Sequence, residues 1–344
     1  MKEIGSEYWE IELDDIDNNL DFVKLGTDNK LLMSGRTAID YVINDIENEE
    51  KIVYMPNYCC KSMVQPFIDN KYTIEYYHVD LLNNKYEIDL NFNCTIFFAM
   101  NYFGYNVSSM DDYIDNFKSR NIIVIEDVTH RFLCNKNHSK NSDYLICSLR
   151  KWFPIISGGL ASKINGLFKN NIDNYTINDI FVEKKKNAMR LKKDYIQKNS
   201  FDNKDKYLQL FSEANHMLQD YKQRKIDDIS INILKSINIE EIKRKRYENA
   251  KLIESKLKDN KHIKLIYKIK EGDAPLFIPI ILKERNIIRE KLIKNNIYCP
   301  IHWPNDIKSD NNIFDMELSL ICDQRYNICD IEKYINNLIK ILGD

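Results

Sequence analysis

From residue 30 to about 165 the chain alternates short apolar runs with stretches whose apolar residues recur at helical spacing. The runs KIVYMP (51–56), TIEYYHVD (73–80), CTIFFAM (94–100), NIIVIED (121–127), DYLICSL (143–149) and GGLASKI (158–164) predict strands. Between them SGRTAIDYVINDIEN (34–48), KSMVQPFIDN (61–70) and MDDYIDNFKSR (110–120) predict helices. In the first helix Ala38, Tyr41, Val42 and Ile46 share one face, and Ser34 is available as its cap. Strands that read as continuous apolar runs are buried on both faces, and helical crossovers between them imply a mainly parallel sheet. The pattern therefore predicts an α/β domain.

Residues 166–235 are polar, rich in Lys and Tyr, and helical by period. Their Lys184–Lys186 run reads as a solvated helix face. From about 236 a long amphipathic helix (239–257) leads into strand-like KHIKLIYKI and PLFIPIIL, a helix at NIIREKLIKNN, and a closing helix at NICDIEKYINNLIKIL. This mixture predicts a smaller α+β domain over 236–344, after a larger α/β domain over 1–235 that includes the polar helical segment.

Composition changes this picture only at a few points. The 50 basic and 52 acidic residues leave a net charge of −2, and no tract draws the chain toward nucleic acid or anionic lipid. The segment MKEIGSEYWEIELDD carries acids where a signal peptide needs a basic and then an apolar run. No stretch approaches the roughly 20 apolar residues of a membrane span, so a soluble, cytoplasmic protein is expected. The cysteines at 59, 60, 94, 134, 147, 299, 322 and 329 contain no C-x-x-C pair. They are expected to be reduced and structural, with no metal site. Glycine is scarce, with nine in 344 residues, and Gly35, Gly104, Gly158 and Gly159 all fall in segments discussed next.

Four segments put polar groups where an open α/β sheet binds its ligand, beyond the carboxyl ends of the strands. Met33-Ser34-Gly35-Arg36-Thr37-Ala38 opens a helix, either as an anion seat or as a plain cap. Val124-Ile125-Glu126-Asp127-Val128-Thr129-His130 places an acid pair at the end of a buried strand, with His130 three residues beyond Asp127. A carboxylate there could hold a heterocyclic nitrogen in its protonated form, or serve as a helix cap. Cys147-Ser148-Leu149-Arg150-Lys151-Trp152, followed by Gly158-Gly159, encloses a lysine between apolar residues and beside a second cation. This is the setting of a Schiff-base lysine, or else a surface turn. Tyr298-Cys299-Pro300-Ile301-His302-Trp303-Pro304 is a stiff loop able to reach a substrate or simply to pack.

In this order the four segments resemble the fold-type I enzymes of pyridoxal 5′-phosphate (PLP), and among them the DegT/DnrJ/EryC1/StrS group of sugar aminotransferases. Pro56-Asn57-Tyr58-Cys59-Cys60, Tyr102-Phe103-Gly104 and Ser319-Leu320…Asp323-Gln324-Arg325-Tyr326 extend the likeness, which covers roughly 30–163 and 236–340. The resemblance implies an aspartate-aminotransferase-like α/β fold with a mainly parallel seven-stranded sheet. It implies that Lys151 is the Schiff-base lysine, that Asp127 pairs with the ring nitrogen and that His130 neighbours the ring hydroxyl. Gly35, Arg36, Thr37 and Ser148 would hold the phosphate, and Asn101 and His302 would meet the substrate. The likeness further implies a homodimer that passes an amine from a donor to a keto-sugar-like acceptor in surface polysaccharide or secondary metabolite biosynthesis. The chain departs from the family pattern in places. Ser148 and Lys151 stand only three residues apart, Ile156-Ser157 replaces an acidic residue before Gly-Gly, and Asn101 stands where a His is common. Cys60 takes the place of an aromatic that stacks on the ring, with Tyr58 as its expected substitute.

Two other readings remain open at this level. One is a different PLP reaction on the same fold, such as elimination, dehydration or sulfur transfer through Cys299 or Cys322. The other is a ligand-binding protein without turnover. The presence of Lys151 favours transamination.

Overall fold

The computed structural model describes residues 3–12, 16–105, 110–198, 200, 202–304 and 313–343. A short strand β1 (Ile4–Gly5) precedes β2 (Asp28–Leu32), α1 (Gly35–Ile43), β3 (Ile52–Pro56), α2 (Lys61–Asp69) and β4 (Thr73–Asp80). β5 (Lys85–Glu87), β6 (Ile96–Met100), α3 (Met110–Ser119), β7 (Ile123–Asp127), β8 (Tyr144–Cys147) and β9 (Gly159–Lys163) follow. β2 to β9 form one eight-stranded sheet in the order β2-β9-β8-β7-β6-β3-β4-β5. β8, β7, β6, β3 and β4 pair in parallel, whereas β9 runs against both its neighbours.

The apolar runs become central strands because each residue of such a run loses water on one face of the sheet or the other. Every residue of β6 is buried, and so is every residue of β8. The sheet has one strand more than the seven expected. β5 pairs antiparallel with β4 at the sheet edge and buries only Tyr86 between two exposed neighbours. A strand that hides one residue in three leaves little apolar signal in the sequence.

The polar middle segment folds into α4 (Asp179–Lys198), α5 (Asn203–Met217) and α6 (Asp228–Lys235), then α7 (Ile239–Leu257) begins the C-terminal part. The Lys184–Lys186 run is not wholly solvated, since Lys185 is 4% exposed and pairs with Glu7 at 2.8 Å. A cation lies inside here because α4 packs under the N-terminal segment, which brings the carboxylate to it.

The C-terminal part contains β10 (Lys264–Leu265), β11 (Ile278–Ile281), α8 (Arg285–Lys294), β12 (Ile297–Tyr298), α9 (Ile313–Met316), β13 (Glu317–Leu320) and α10 (Ile328–Leu342). β10, β11 and β13 form an antiparallel three-stranded sheet, and β1 pairs with β12. Of the strand expected over 261–269, only Lys264–Leu265 pairs. Its remaining apolar residues, among them Tyr267 and Ile269, pack as loop. Among the described residues no helix is long and apolar enough to cross a membrane.

Candidate active site

The site forms where β6, β7 and β8 end, opposite the first turn of α1. Asp127 is the last residue of β7 and lies level with Met100 on one side and Ile146 on the other. Its side chain is buried, with Oδ1 accepting the Thr129 N–H at 2.8 Å. Burial raises its pKa, while the Thr129 hydrogen bonds and the charge of Lys151 pull the other way.

Thr129 fastens the lysine loop to this strand end. Its Oγ1 accepts the Ser148 N–H at 2.9 Å and its carbonyl accepts Trp152 Nε1–H at 2.6 Å. Between these two ties, Leu149–Lys151 make a single 3-10 turn. The interval of three residues between Ser148 and Lys151 is the length of that turn.

On the facing side, Ser34 caps α1 by accepting the Thr37 N–H at 3.2 Å. Glycine allows the two loops to meet. A Cβ on Gly159 would stand 2.1 Å from the Ser34 carbonyl oxygen, and one on Gly35 3.1 Å from Ser148 Cβ. A side chain at 159 would therefore push β9 away from the turn.

A cavity of about 150 Å³ lies between these parts, bordered by Gly35, Arg36, Cys60, Asp127, Ser148 and Lys151. A second, of about 440 Å³, shares Arg150 and Lys151 and continues toward Arg289, Tyr298, Cys299 and His302 of the C-terminal part. Lys151 Nζ stands 5.8 Å from the centre of the Trp303 ring.

His130 is fully buried, with Nδ1 accepting the Phe103 N–H at 3.0 Å. The ring proton is therefore on Nε2, and that N–H is buried without a partner. Burial, then the charges of Lys151 and His302, hold this imidazole neutral.

His302 borders the larger cavity. Its backbone N–H donates to Glu317 Oε2 at 2.7 Å and its Nδ1 lies 2.7 Å from Ser319 Oγ. Burial pushes the Glu317 carboxyl up to about 8.

Four predicted residues do not border these cavities, the buried His130 among them. Tyr58 is buried among Tyr102, Trp303 and Phe314 and does not border the 150 Å³ cavity, while Cys60 does. Thr37 is buried with its N–H already given to Ser34. Asn101 is 2% exposed, and neither atom of its amide has a partner. Cys299 and Cys322 are buried thiols whose pKa burial pushes up to about 12, which leaves them poor nucleophiles.

Glu7 and Thr129 were not singled out from the sequence. Glu7 lies on the N-terminal segment and accepts from Lys185 at 2.8 Å and Asn215 at 3.0 Å. Burial opposes its ionisation, but Lys185, Asn215 and Arg150 outweigh that and hold it at about 2. No local pattern marks a residue whose partners, Lys185 and Asn215, lie 178 and 208 positions away. Thr129, two residues beyond Asp127, lay inside a motif already in view.

No protein-family description matches the chain, and no curated protein matches it in sequence. Solved structures do. Helicobacter pylori PseC, an aminotransferase involved in the biosynthesis of pseudoaminic acid, is similar over 99% of both chains with TM-score 0.70 and 11% identity. A DegT DnrJ EryC1 StrS aminotransferase from Brucella abortus covers 92% of this chain and 86% of its own, with TM-score 0.64 and 12% identity. NtdA from Bacillus subtilis, solved with bound cofactor PMP, covers 92% and 73%, with TM-score 0.63 and 12% identity. The chain has the fold of the fold-type I aminotransferases.

Proposed function

We propose that this chain is a PLP-dependent aminotransferase, a divergent relative of the DegT/DnrJ/EryC1/StrS group. The observation that carries the reading is that Lys151 and Asp127 border one small cavity beside the Gly35 turn and Ser148. The residues fit the cofactor on their own chemistry. The glycine contacts leave a cradle that a Cβ would fill, the Asp127 carboxylate is buried at the opposite wall, and the His130 Nε2–H lacks an acceptor. Structures of this fold solved with PMP support it further.

Bound there, PLP supplies an aldehyde that captures amines and a ring that accepts electrons from a neighbouring carbon. Asp127 keeps a proton on the ring nitrogen, since the ion pair is strong where water is excluded. His130, whose buried Nε2–H has no acceptor among the described residues, would be the donor for the ring hydroxyl. Gly35, Arg36 and the Ser148 hydroxyl bind the phosphate at the first turn of α1, where backbone N–H groups favour an anion. Lys151 Nζ holds the cofactor and carries a proton to and from the substrate carbon. The larger cavity, with His302 and Arg289, takes the substrate. The likeness in fold to PseC supports a keto-sugar-like acceptor. A homodimer and a division into units 1–235 and 236–344 belong to the same proposal.

Borohydride reduction of the purified protein with PLP, followed by peptide mass spectrometry, tests this. A pyridoxyl adduct on Lys151 is expected, together with keto-acid formation from an amino donor. An adduct on Lys163 instead, or none, would overturn the assignment. Bound cofactor without turnover on any amine would point to a binding protein.

A further inference from the structure

Most arginines near this site have partners: Arg36 gives Nη1 to the Leu218 carbonyl at 3.2 Å and Arg289 gives Nε to the Cys299 carbonyl at 3.1 Å. Arg246 is buried with every nitrogen engaged: Nε to Gln324 Oε1 at 2.8 Å, Nη1 to the Pro275 and Leu276 carbonyls at 3.1 Å, Nη2 to Tyr8 Oη at 3.1 Å. Arg325 is likewise spent on Asp323 and on the Ser6 and Glu7 carbonyls. Arg150 differs. Its Nε is buried without a partner, and among the described residues no hydrogen bond or ion pair takes up its guanidinium. A buried donor on a charged group that stays unmet costs more than a neutral one.

The charges around it make the gap more specific. Arg150 borders the cavity that also meets Gly35, Arg36 and Ser148, and it borders a third cavity shared with Glu7, Lys151 and Lys185. Across these two cavities four cationic side chains (Arg36, Arg150, Lys151, Lys185) face two carboxylates (Glu7, Asp127). Glu7 is already taken by Lys185 and Asn215. Burial and the like charge of Arg36 both press against ionisation of the Arg150 guanidinium, with only Glu7 opposing. Arg36 also has Asp69 for a neighbour, which leaves Arg150, of these two, as the cation without an ion-pair partner among the described residues. Beside a helix start it suits a phosphate monoester, which carries about −1.5 to −2 near neutral pH.

We infer that Arg150 clamps the phosphate of the cofactor, a task that leaves the residue before the lysine facing the ligand and not solvent. The inference rests on the PLP reading above. It assigns to this chain's own loop a charge partner that backbone N–H groups and the Ser148 hydroxyl cannot supply.

The test is equilibrium binding to the apo protein, read by absorbance, with PLP and with pyridoxal, which lacks the phosphate. Arg150→Gln should weaken PLP roughly ten- to a hundredfold. Pyridoxal affinity should stay unchanged, and Arg150→Lys should fall between. Inorganic phosphate should compete with PLP on the wild-type protein and leave pyridoxal binding alone, a measurement that needs no variant to fold. Unchanged PLP affinity in Arg150→Gln, equal losses for PLP and pyridoxal, or no competition by phosphate would each overturn the clamp. A wild-type protein that binds neither compound would instead sink the cofactor reading itself.

Discussion

A carboxylate that must hold a proton on a heterocyclic nitrogen works best away from water and close to little else that it could neutralise. Asp127 has one oxygen tied to the Thr129 N–H and is 4% exposed at the end of a central strand. Asp127→Asn keeps an acceptor for Thr129 but loses the charge. Transamination should fall by roughly 10²–10³-fold with the fold intact, as judged by steady-state rates beside circular dichroism. Its neighbour Glu126 points the other way, with Oε2 accepting from Ser139 N at 2.9 Å and Ser142 Oγ at 2.8 Å, and with Oε1 unmet. Burial pushes its pKa from 4.5 to about 7. The folded state thus keeps a proton that the unfolded chain releases from 4.5 upward, so stability is fully present below 4.5 and is lost as pH rises through 7. Denaturant melts at pH 5 and pH 8 should show Glu126→Gln gaining on the wild type, on the order of 2–3 kcal/mol, between the two. An equal offset at both pH values would refute the shift.

Elements show where sequence patterns suffice. β3, β6, β7 and β8 were legible because burial on both faces writes an unbroken apolar run, and α1 because Ser34 caps a one-sided stripe. β2, with residues Asp28-Asn29-Lys30-Leu31-Leu32, was missed: it is a sheet edge whose burial comes only at Leu32. β12 and β13 pair through distant partners, Ile4–Gly5 and Ile278–Ile281, and so carry no local signal. Within the site, the order Ser34-Gly35, Asp127, Lys151, Gly159 was readable because each residue closes or opens an element. The packing between elements was not. Gly159→Ala tests that packing. The new methyl would meet the Ser34 carbonyl, and a loss of about 1–3 kcal/mol is expected in chemical denaturation, along with weaker cofactor binding. A variant as stable as the parent would mean that β9 and the turn can part cheaply.

At the scale of the molecule, the site is a meeting of three remote parts: the carboxyl ends of the sheet's central strands, the C-terminal part with its loop 298–303 and Gln324, and the N-terminal residues around Glu7 and Tyr8. Tyr8 Oη donates to the Trp152 carbonyl at 3.0 Å, and Gln324 Nε2 donates to the same oxygen at 2.8 Å, so all three converge behind Lys151. A ligand that bridges such parts stabilises them together. PLP at a hundred times its dissociation constant should add about 2.7 kcal/mol to unfolding, visible as a raised melting temperature that pyridoxal reproduces less well at equal concentration. No shift on adding PLP would argue that the cavity stays empty.

The two bonds made by Thr129 have a mechanical consequence. The acid and the amine sit on separate segments, yet one side chain and its carbonyl, through bonds spanning 19 and 23 positions, pin the second segment to the first. Their separation is therefore set like the gap of a fixed caliper, before any ligand arrives, and tilting the 3-10 turn would have to break a bond at each jaw. Thr129→Val removes one jaw, the hydroxyl, and leaves the other. Such a change frees the Ser148 N–H, so it should loosen the lysine turn and, with it, the phosphate seat that Ser148 borders.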